Sequence, residues 1–198
     1  GRRIIAYIPM RGGEVQEDGD FELDGVAFPA AEIRLEFLDA GGVGEAPLLP
    51  TGNPADELHV PGVGRITATL INAGNPTVIV EASSLGLEGF ELQGAVNSNP
   101  ALLGRCEAIR AQGAVAMGLA ASAQEATISR PATPKLAFVA PPLAYTASSG
   151  RPIAQTDIDL LARFLSMGAL HHALPGTGAV ALAVAAALPG TLAHRIVG

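Results

Sequence analysis

A glycine-rich turn directly ahead of an apolar segment is the first candidate for chemistry in this sequence. It contains Gly176, Thr177 and Gly178, and residues 179–188 follow it as an uncharged, alanine-rich run. Backbone N–H groups in the first turn of a helix have no partner within the helix, and the helix dipole favours negative charge there. Such a turn can bind an anion such as a carboxylate. Glycines also serve tight turns and close helix packing, and that alternative remains open.

The second candidate is the amide side chain of Asn75, which lies in a Gly-Asn-Pro turn at residues 74–76. Asparagine is favoured in turns, and its amide carries both hydrogen-bond donors and an acceptor. An amide held at a fixed point by a turn is suited to contact a substrate carboxylate.

The third candidate is His171, because an unperturbed imidazole titrates near neutrality and this histidine lies just ahead of the glycine turn. It could act as a general acid or base. It could equally do no more than hydrogen-bond the carbonyl groups of the helix before it. We expect a surface or structural role for His172, a core position for Cys106 and a solvated side chain for Lys135.

Apolar periodicity and turn signals predict the elements that position these residues. We expect short strands at residues 3–8, 13–16, 20–23 and 32–38, and the alternation in the last of them fits a sheet with one exposed face. Further on, we expect strands at residues 64–71, 77–81, 135–140 and 194–197. We expect three helices: one capped by Asn99 and running to about Gln112, one from Thr156 to Leu170, and a final one beginning at Gly176.

Composition excludes several classes of function. The 198 residues carry a net charge of −7 and a single lysine, so there is no basic patch for nucleic acid or for a membrane surface. The ten-residue run 179–188 is too short for a bilayer, which needs about 20 residues. No cysteine and histidine cluster has the spacing of a metal site, and one cysteine forms no intrachain disulfide. With no secretory signal at the start, we expect a cytoplasmic protein.

Charge is unevenly distributed along the chain. Residues 1–60 hold 4 of the 12 basic and 12 of the 19 acidic side chains, and residues 61–198 hold the rest. This shift predicts a domain boundary near Pro61. The chain begins directly on a strand pattern without a methionine, so we interpret it as an internal piece of a longer protein.

Several segments together resemble the 2-methylaconitate cis-trans isomerase family, which includes methylitaconate isomerase and 4-oxalomesaconate tautomerase. The resemblance covers nearly the whole chain, and the combination of motifs is more specific than any one of them. The segments that carry it are residues 48–52, 69–78, 134–142, 165–168, 171–173 and 185–191.

The resemblance implies an α+β fold similar to diaminopimelate epimerase, with mixed sheets wrapped around a central helix and a site between two domains. Residues 1–60 would be the end of the first domain and residues 61–198 most of the second. In that fold Asn75 and the turn of Gly176, Thr177 and Gly178 match carboxylate-binding positions. Pro175 stands where the epimerases have a catalytic cysteine, which excludes a thiol at this point.

The implied activity is that of a cofactor-independent isomerase that moves a proton or a double bond in an unsaturated di- or tricarboxylate such as 2-methylaconitate. Neither the Asn-Cys-Gly-Asn motif nor the first-half lysine of the isomerases is present, so we expect the main acid and base residues outside this segment. The expected partner is a small carboxylate substrate, with a homodimer as the candidate assembly. A 4-oxalomesaconate-type tautomerase, a non-catalytic carboxylate-binding half-protein and a purely structural half remain alternatives.

Overall fold

The computed structural model describes residues 3–23, 26, 28–42 and 47–198 and shows a mixed α+β arrangement. The strands are β1 Arg3–Tyr7, β2 Met10–Arg11, β3 Glu14–Val15, β4 Arg34–Leu38, β5 Asp56–Val60, β6 Gly64–Ala73, β7 Asn75–Glu81, β8 Lys135–Ala140, β9 Tyr145–Thr146, β10 Pro152–Ile153, β11 Leu161–Ser166 and β12 Ala169–Leu170. The helices are α1 Gln93–Asn97, α2 Pro100–Ala116, α3 Ala123–Ser129, α4 Gly176–Ala187 and α5 Leu192–Val197.

The central feature is a six-stranded sheet with the strand order β12-β11-β8-β7-β6-β5. Strands β7 and β8 are parallel, and the other neighbouring pairs are antiparallel. A parallel pair needs a long crossover, and here α1, α2 and α3 occupy the connection between β7 and β8. The strands predicted at residues 64–71, 77–81 and 135–140 are confirmed.

Alternate residues of the central strands feed two cores, one on each face of the sheet. Leu70, Val78 and Phe138 pack on the face covered by α2, which contributes Ile109. The opposite face packs against α4 and α5, and its core members include Ile71, Ile79, Ala137, Phe164, Ala181 and Leu192. Because both faces are covered, these strands are almost continuously apolar.

Helix α2 begins as the sequence predicts. The Asn99 side chain accepts a hydrogen bond from the Leu102 N–H at 3.0 Å, and Pro100 occupies the first turn. The helix runs four residues beyond the predicted end, to Ala116. Cys106 faces the core as expected.

The helix predicted at residues 156–170 is wrong. A short 3-10 turn at Gln155–Asp157 is followed by β11, and β11 turns back into β12. Leu161 and Leu165 misled the prediction, because residues four apart share one face of a strand as well as one face of a helix. The reversal is made at Met167 and Gly168, which have φ values of 54° and 77°.

The strand predicted at residues 194–197 is also wrong, because these residues belong to α5. The Thr191 hydroxyl accepts a hydrogen bond from the His194 N–H at 3.2 Å and caps this helix. The apolar periodicity of so short a segment does not separate a helix from a strand.

The strands near the start of the chain are confirmed at Arg3–Tyr7 and Arg34–Leu38, which pair with each other as antiparallel β1 and β4. The run predicted at 13–16 is the two-residue strand β3, and the strand predicted at 20–23 is wrong, because among these described residues only Phe21 forms a bridge. Both strands expose large apolar side chains, among them Ile4, Tyr7 and Leu35. The predicted boundary at Pro61 does not coincide with a break in the sheet, because β5 pairs with β6 on either side of it through Val60 and Gly64.

Candidate active site at one edge of the sheet

The beginnings of β7 and β8 define the edge of the sheet that holds the candidate site. The two strands are parallel and pair Thr77 with Lys135, so both begin at the same edge. Strand β11 runs antiparallel to β8 and ends there at Ser166. This topology places the starts of β7 and β8 and the end of β11 side by side, although they are far apart in the sequence.

Asn75 lies at the tip of the hairpin between β6 and β7, as the Gly-Asn-Pro turn predicts. Its carbonyl oxygen accepts a hydrogen bond from the Thr77 hydroxyl at 3.0 Å. Its side-chain oxygen, Oδ1, is buried and has no hydrogen-bond partner among the residues that the structure describes. An unpartnered buried acceptor costs about 1–3 kcal/mol, so a ligand group that donates to Oδ1 would be stabilised there. A carboxylate, which only accepts, would instead be bound by the Nδ2 donors of the same amide.

Gly74 brings this hairpin tip against the first turn of α4. Gly74 has a φ of +61°, and a Cβ added there would lie 2.7 Å from the Thr177 carbonyl oxygen and 2.8 Å from the Val180 Cβ. A residue with a side chain could not approach so closely. The structure therefore brings together Asn75 and the turn of residues 176–178, two of the features singled out from the sequence.

The first turn of α4 is seated on β11 through Gly178. A Cβ at Gly178 would lie 2.7 Å from the Phe164 Cε1. Close packing therefore accounts for the glycine at position 178, which agrees with the alternative that glycines in this turn serve helix packing. At Gly176 a Cβ would meet nothing within 4 Å among the described atoms, so packing does not account for the glycine there.

The start of α4 has the electrostatic character of an anion site. Its N-cap, Pro175, makes no side-chain capping hydrogen bond, and the first turn carries no acidic residue. The N–H groups of Gly176, Thr177 and Gly178 belong to the part of a helix that lacks intrahelical partners. The positive end of the helix dipole lies at the same place, so a carboxylate would be stabilised there.

Lys135 and Ser166 lie on the same edge and were not recognised from the sequence as a pair. The Lys135 Nζ donates a hydrogen bond to the Ser166 Oγ at 2.9 Å. Lys135 is half-buried rather than solvated, and burial lowers the pKa of its ammonium group. A pairing between neighbouring strands leaves no local signal in a sequence, because it depends on the strand order and register.

His171 lies in a cleft of about 590 Å³ beside β11, together with His172, Ser148 and Leu174. Its backbone N–H donates to the Phe164 carbonyl at 2.9 Å, and the residue is exposed. The alternative in which His171 caps a preceding helix is wrong, since a strand precedes it. Among the described residues that line the cleft, none belongs to the turn of residues 176–178, but Phe164, which packs against Gly178, lines it as well.

Arg163 also lines this cleft, and the sequence does not single it out because its apolar pattern predicts a helix over residues 156–170. Its Nε donates to the Glu91 carbonyl at 3.1 Å, and its guanidinium lies 5.4 Å from the centre of the Tyr145 ring. Among the described residues it forms no ion pair with a carboxylate. A positive charge in a cleft favours an anionic ligand.

Other groups are less suited to chemistry. Burial raises the pKa of the Cys106 thiol to about 11, which keeps it in the unreactive protonated form. Within the described ranges, no three histidine, cysteine or acidic side chains are grouped as metal ligands would be. No helix in the described part of the chain has the length and apolar character needed to cross a membrane.

The fold and the motifs agree with one protein family. The chain belongs to the family described as PrpF protein, which it matches over residues 1–198. It is 54% identical to a protein named 2-methyl-aconitate isomerase from Shewanella oneidensis, over 100% of this chain and 50% of that protein. It is 34% identical to 3-methylitaconate isomerase from Eubacterium barkeri, over 99% of this chain and 52% of that protein.

A solved structure extends the agreement to three dimensions. The crystal structure of a methylitaconate-delta-isomerase matches this chain with a TM-score of 0.88 at 34% identity, over 99% of this chain and 51% of that one. The predicted family and the predicted α+β fold are therefore confirmed. The chain spans about half the length of the curated relatives it matches.

Proposed function

We propose that the protein containing this chain is a cofactor-independent isomerase that moves a proton or a double bond in an unsaturated di- or tricarboxylate, with 2-methylaconitate as the first substrate to test. The observation that carries the proposal is the contact between Gly74 and Thr177, which brings the Asn75 turn against the uncapped start of α4. The names of the relatives at 54% and 34% identity support the same class of substrate.

The proposed reaction removes a proton from carbon conjugated with a carboxylate. The electron pair left behind delocalises into the carboxylate as a dienolate, and the bond that was double can then rotate. A proton returns to the same carbon or to the other end of the conjugated system. Hydrogen-bond donors aimed at the carboxylate lower the barrier because negative charge develops on it.

In this proposal Asn75 and the N–H groups of Gly176, Thr177 and Gly178 bind the carboxylate that receives the charge. They are held by backbone turns, so their positions change little during the reaction, as electrostatic stabilisation requires. His171 is the candidate acid or base within this chain, and the main proton-transfer residues are expected outside it.

The experiment uses the full-length protein, freed of metals and small molecules, with 2-methylaconitate in D2O. Proton NMR should show the cis and trans isomers reaching equilibrium, with deuterium entering the carbon that loses its proton. Absence of turnover, or turnover only after a cofactor or metal is added, would contradict the proposal. Turnover of an oxo-tricarboxylate in place of 2-methylaconitate would point to the tautomerase alternative.

The remaining expectations form part of the proposal. We expect residues 1–60 to contain the end of the first domain of the full-length protein and residues 61–198 to form most of the second, with β5, at the end of the first range, joined to the sheet of the second. The exposed apolar side chains of β1 and β4 support this, because such a face is usually covered. We further expect a cytoplasmic homodimer. Light scattering by the full-length protein would measure the mass of this assembly.

A further inference from the structure

Four polar side chains stand on one face of the sheet, at the edge where β7 and β8 begin. Asn75 and Thr77 are two residues apart on β7, Thr77 pairs with Lys135, and Lys135 bonds to Ser166 on the next strand. Residues two apart on a strand share a face, as paired residues do. Further along the same face lie the core residues Ile79, Ala137 and Phe164.

Helix α4 covers this face and begins at the same edge. Its first turn is in contact with the hairpin tip through Gly74 and with β11 through Gly178, which would clash with Phe164 if it carried a side chain. Phe164 is two residues before Ser166 on β11, so it stands on the same face. The uncapped N–H groups of α4 and the polar side chains of the strands therefore border one small surface.

Lys135 supplies a positive charge to this surface that the described residues do not neutralise. No carboxylate among them forms an ion pair with its ammonium group. An ammonium has three N–H donors, and one of them is used by Ser166. A half-buried charge without a counter-ion is unfavourable, so a bound anion would stabilise it.

We propose that Lys135, oriented by Ser166, binds a second carboxylate of the substrate while Asn75 and the first turn of α4 bind the first. The proposal rests on the proposed function and extends it by naming the residue that selects di- and tricarboxylates over monocarboxylates. Lys135 is the binding residue, and Ser166 is a positioning residue that acts through it.

The dimensions of the sheet suit two carboxylates on one small molecule. Residues two apart on a strand are about 6.6 Å apart and neighbouring strands about 4.8 Å apart, which separates the backbones of Asn75 and Lys135 by about 8 Å. A single substrate of a few carbon atoms can therefore contact the amide and the ammonium at once.

The test compares inhibition of the full-length enzyme by tricarballylate, which has three carboxylates, and by butyrate, which has one. In Lys135→Met the inhibition constant of tricarballylate should rise about 10- to 100-fold, the effect of losing a hydrogen bond to a charged group. The inhibition constant of butyrate should stay within twofold, and Lys135→Arg should recover part of the tricarballylate affinity.

Arg65→Met is the matched control, because it removes a cation whose side chain is 72% exposed on β6. It should change neither constant. If Lys135→Met leaves the ratio of the two constants unchanged, the second-carboxylate site is wrong while the isomerase proposal stands. If the wild-type protein turns over no unsaturated carboxylate, the isomerase proposal fails instead. The NMR titration described next then still tests whether Lys135 binds a carboxylate.

A direct measurement avoids dependence on whether Lys135→Met folds. The Nζ resonance of Lys135 in the 15N-lysine-labelled full-length protein is assigned by its absence in Lys135→Arg. Addition of tricarballylate should shift this resonance and raise the pKa of Lys135, because a carboxylate stabilises the ammonium form. An unchanged resonance at tricarballylate concentrations up to 100 times the protein concentration would overturn the proposal.

Discussion

Gly74 and Thr177 lie in direct contact, although more than one hundred residues separate them in the sequence. A Cβ at Gly74 would come within 2.7 Å of the Thr177 carbonyl oxygen. The Gly74 N–H also donates to the Ala40 carbonyl at 3.2 Å. The hairpin tip that carries Asn75 is therefore held between residue 40 and the start of α4.

We predict that Gly74→Ala destabilises the protein and displaces the start of α4. The left-handed backbone costs about 1–2 kcal/mol for a residue with a Cβ, and overlap with a packed neighbour adds about 1–3 kcal/mol. The free energy of unfolding is measured with urea on the full-length protein. Gly86→Ala is the control, because Gly86 has a φ of +72° and open space around a Cβ.

The difference between the two variants isolates the overlap from the backbone strain that both share. We expect Gly74→Ala to be less stable than Gly86→Ala by at least about 1 kcal/mol. Equal losses in the two variants would show that the contact with Thr177 and Val180 is not close.

Gly178 and Phe164 should behave as a coupled pair. Gly178→Ala places a Cβ against the buried ring and should cost about 1–3 kcal/mol. Phe164→Leu removes the ring edge and costs stability by itself, but it makes room for the added Cβ. In a double-mutant cycle, the double variant should therefore lose less free energy of unfolding than the two single variants together, by about 0.5–2 kcal/mol. Additive losses would refute the contact.

The pKa of Cys106 predicts a loss of stability at high pH. Burial raises this pKa from 9.0 to about 11, so the folded state holds its proton over a range where the unfolded state has lost it. The stabilisation is present below pH 9 and is lost as the pH rises toward 11, by about 2–3 kcal/mol. Cys106→Ala should lack this part of the pH dependence in urea unfolding, and an identical dependence in both proteins would contradict the assignment.

His171→Ala tests the candidate acid or base. If His171 transfers a proton, kcat should fall about 100- to 10,000-fold with a smaller change in KM. His59→Ala is the control, because His59 is exposed on β5 and lies 3.5 Å from the Glu57 carboxylate. A kcat for His171→Ala equal to that of His59→Ala would remove His171 from the reaction.

The sequence predicts the parts of this site that depend on local chemistry. The Gly-Asn-Pro turn and the glycine turn of residues 176–178 are recognisable because each needs a special backbone conformation or leaves N–H groups free. The Asn99 cap is local in the same way. These signals require no knowledge of the strand order.

The parts that depend on strand order could not be predicted. Lys135 and Ser166 meet only because β11 pairs with β8. The sequence of β11 itself predicts a helix, because the spacing of Leu161 and Leu165 fits both a helix and a strand. The closeness of Gly74 to Thr177 likewise depends on where α4 crosses the sheet. A single sequence shows which side chains are suited to chemistry, but it does not show which of them meet.

The most direct test of the account is the steady-state kinetics of Asn75→Ala in the full-length protein with 2-methylaconitate. Loss of a hydrogen bond to a carboxylate should lower kcat/KM about 10- to 100-fold. Gln124→Ala, which removes an exposed amide from α3, should stay within twofold of the wild type. If Asn75→Ala retains the wild-type kcat/KM, the hairpin tip does not bind the substrate, and the proposed site is contradicted.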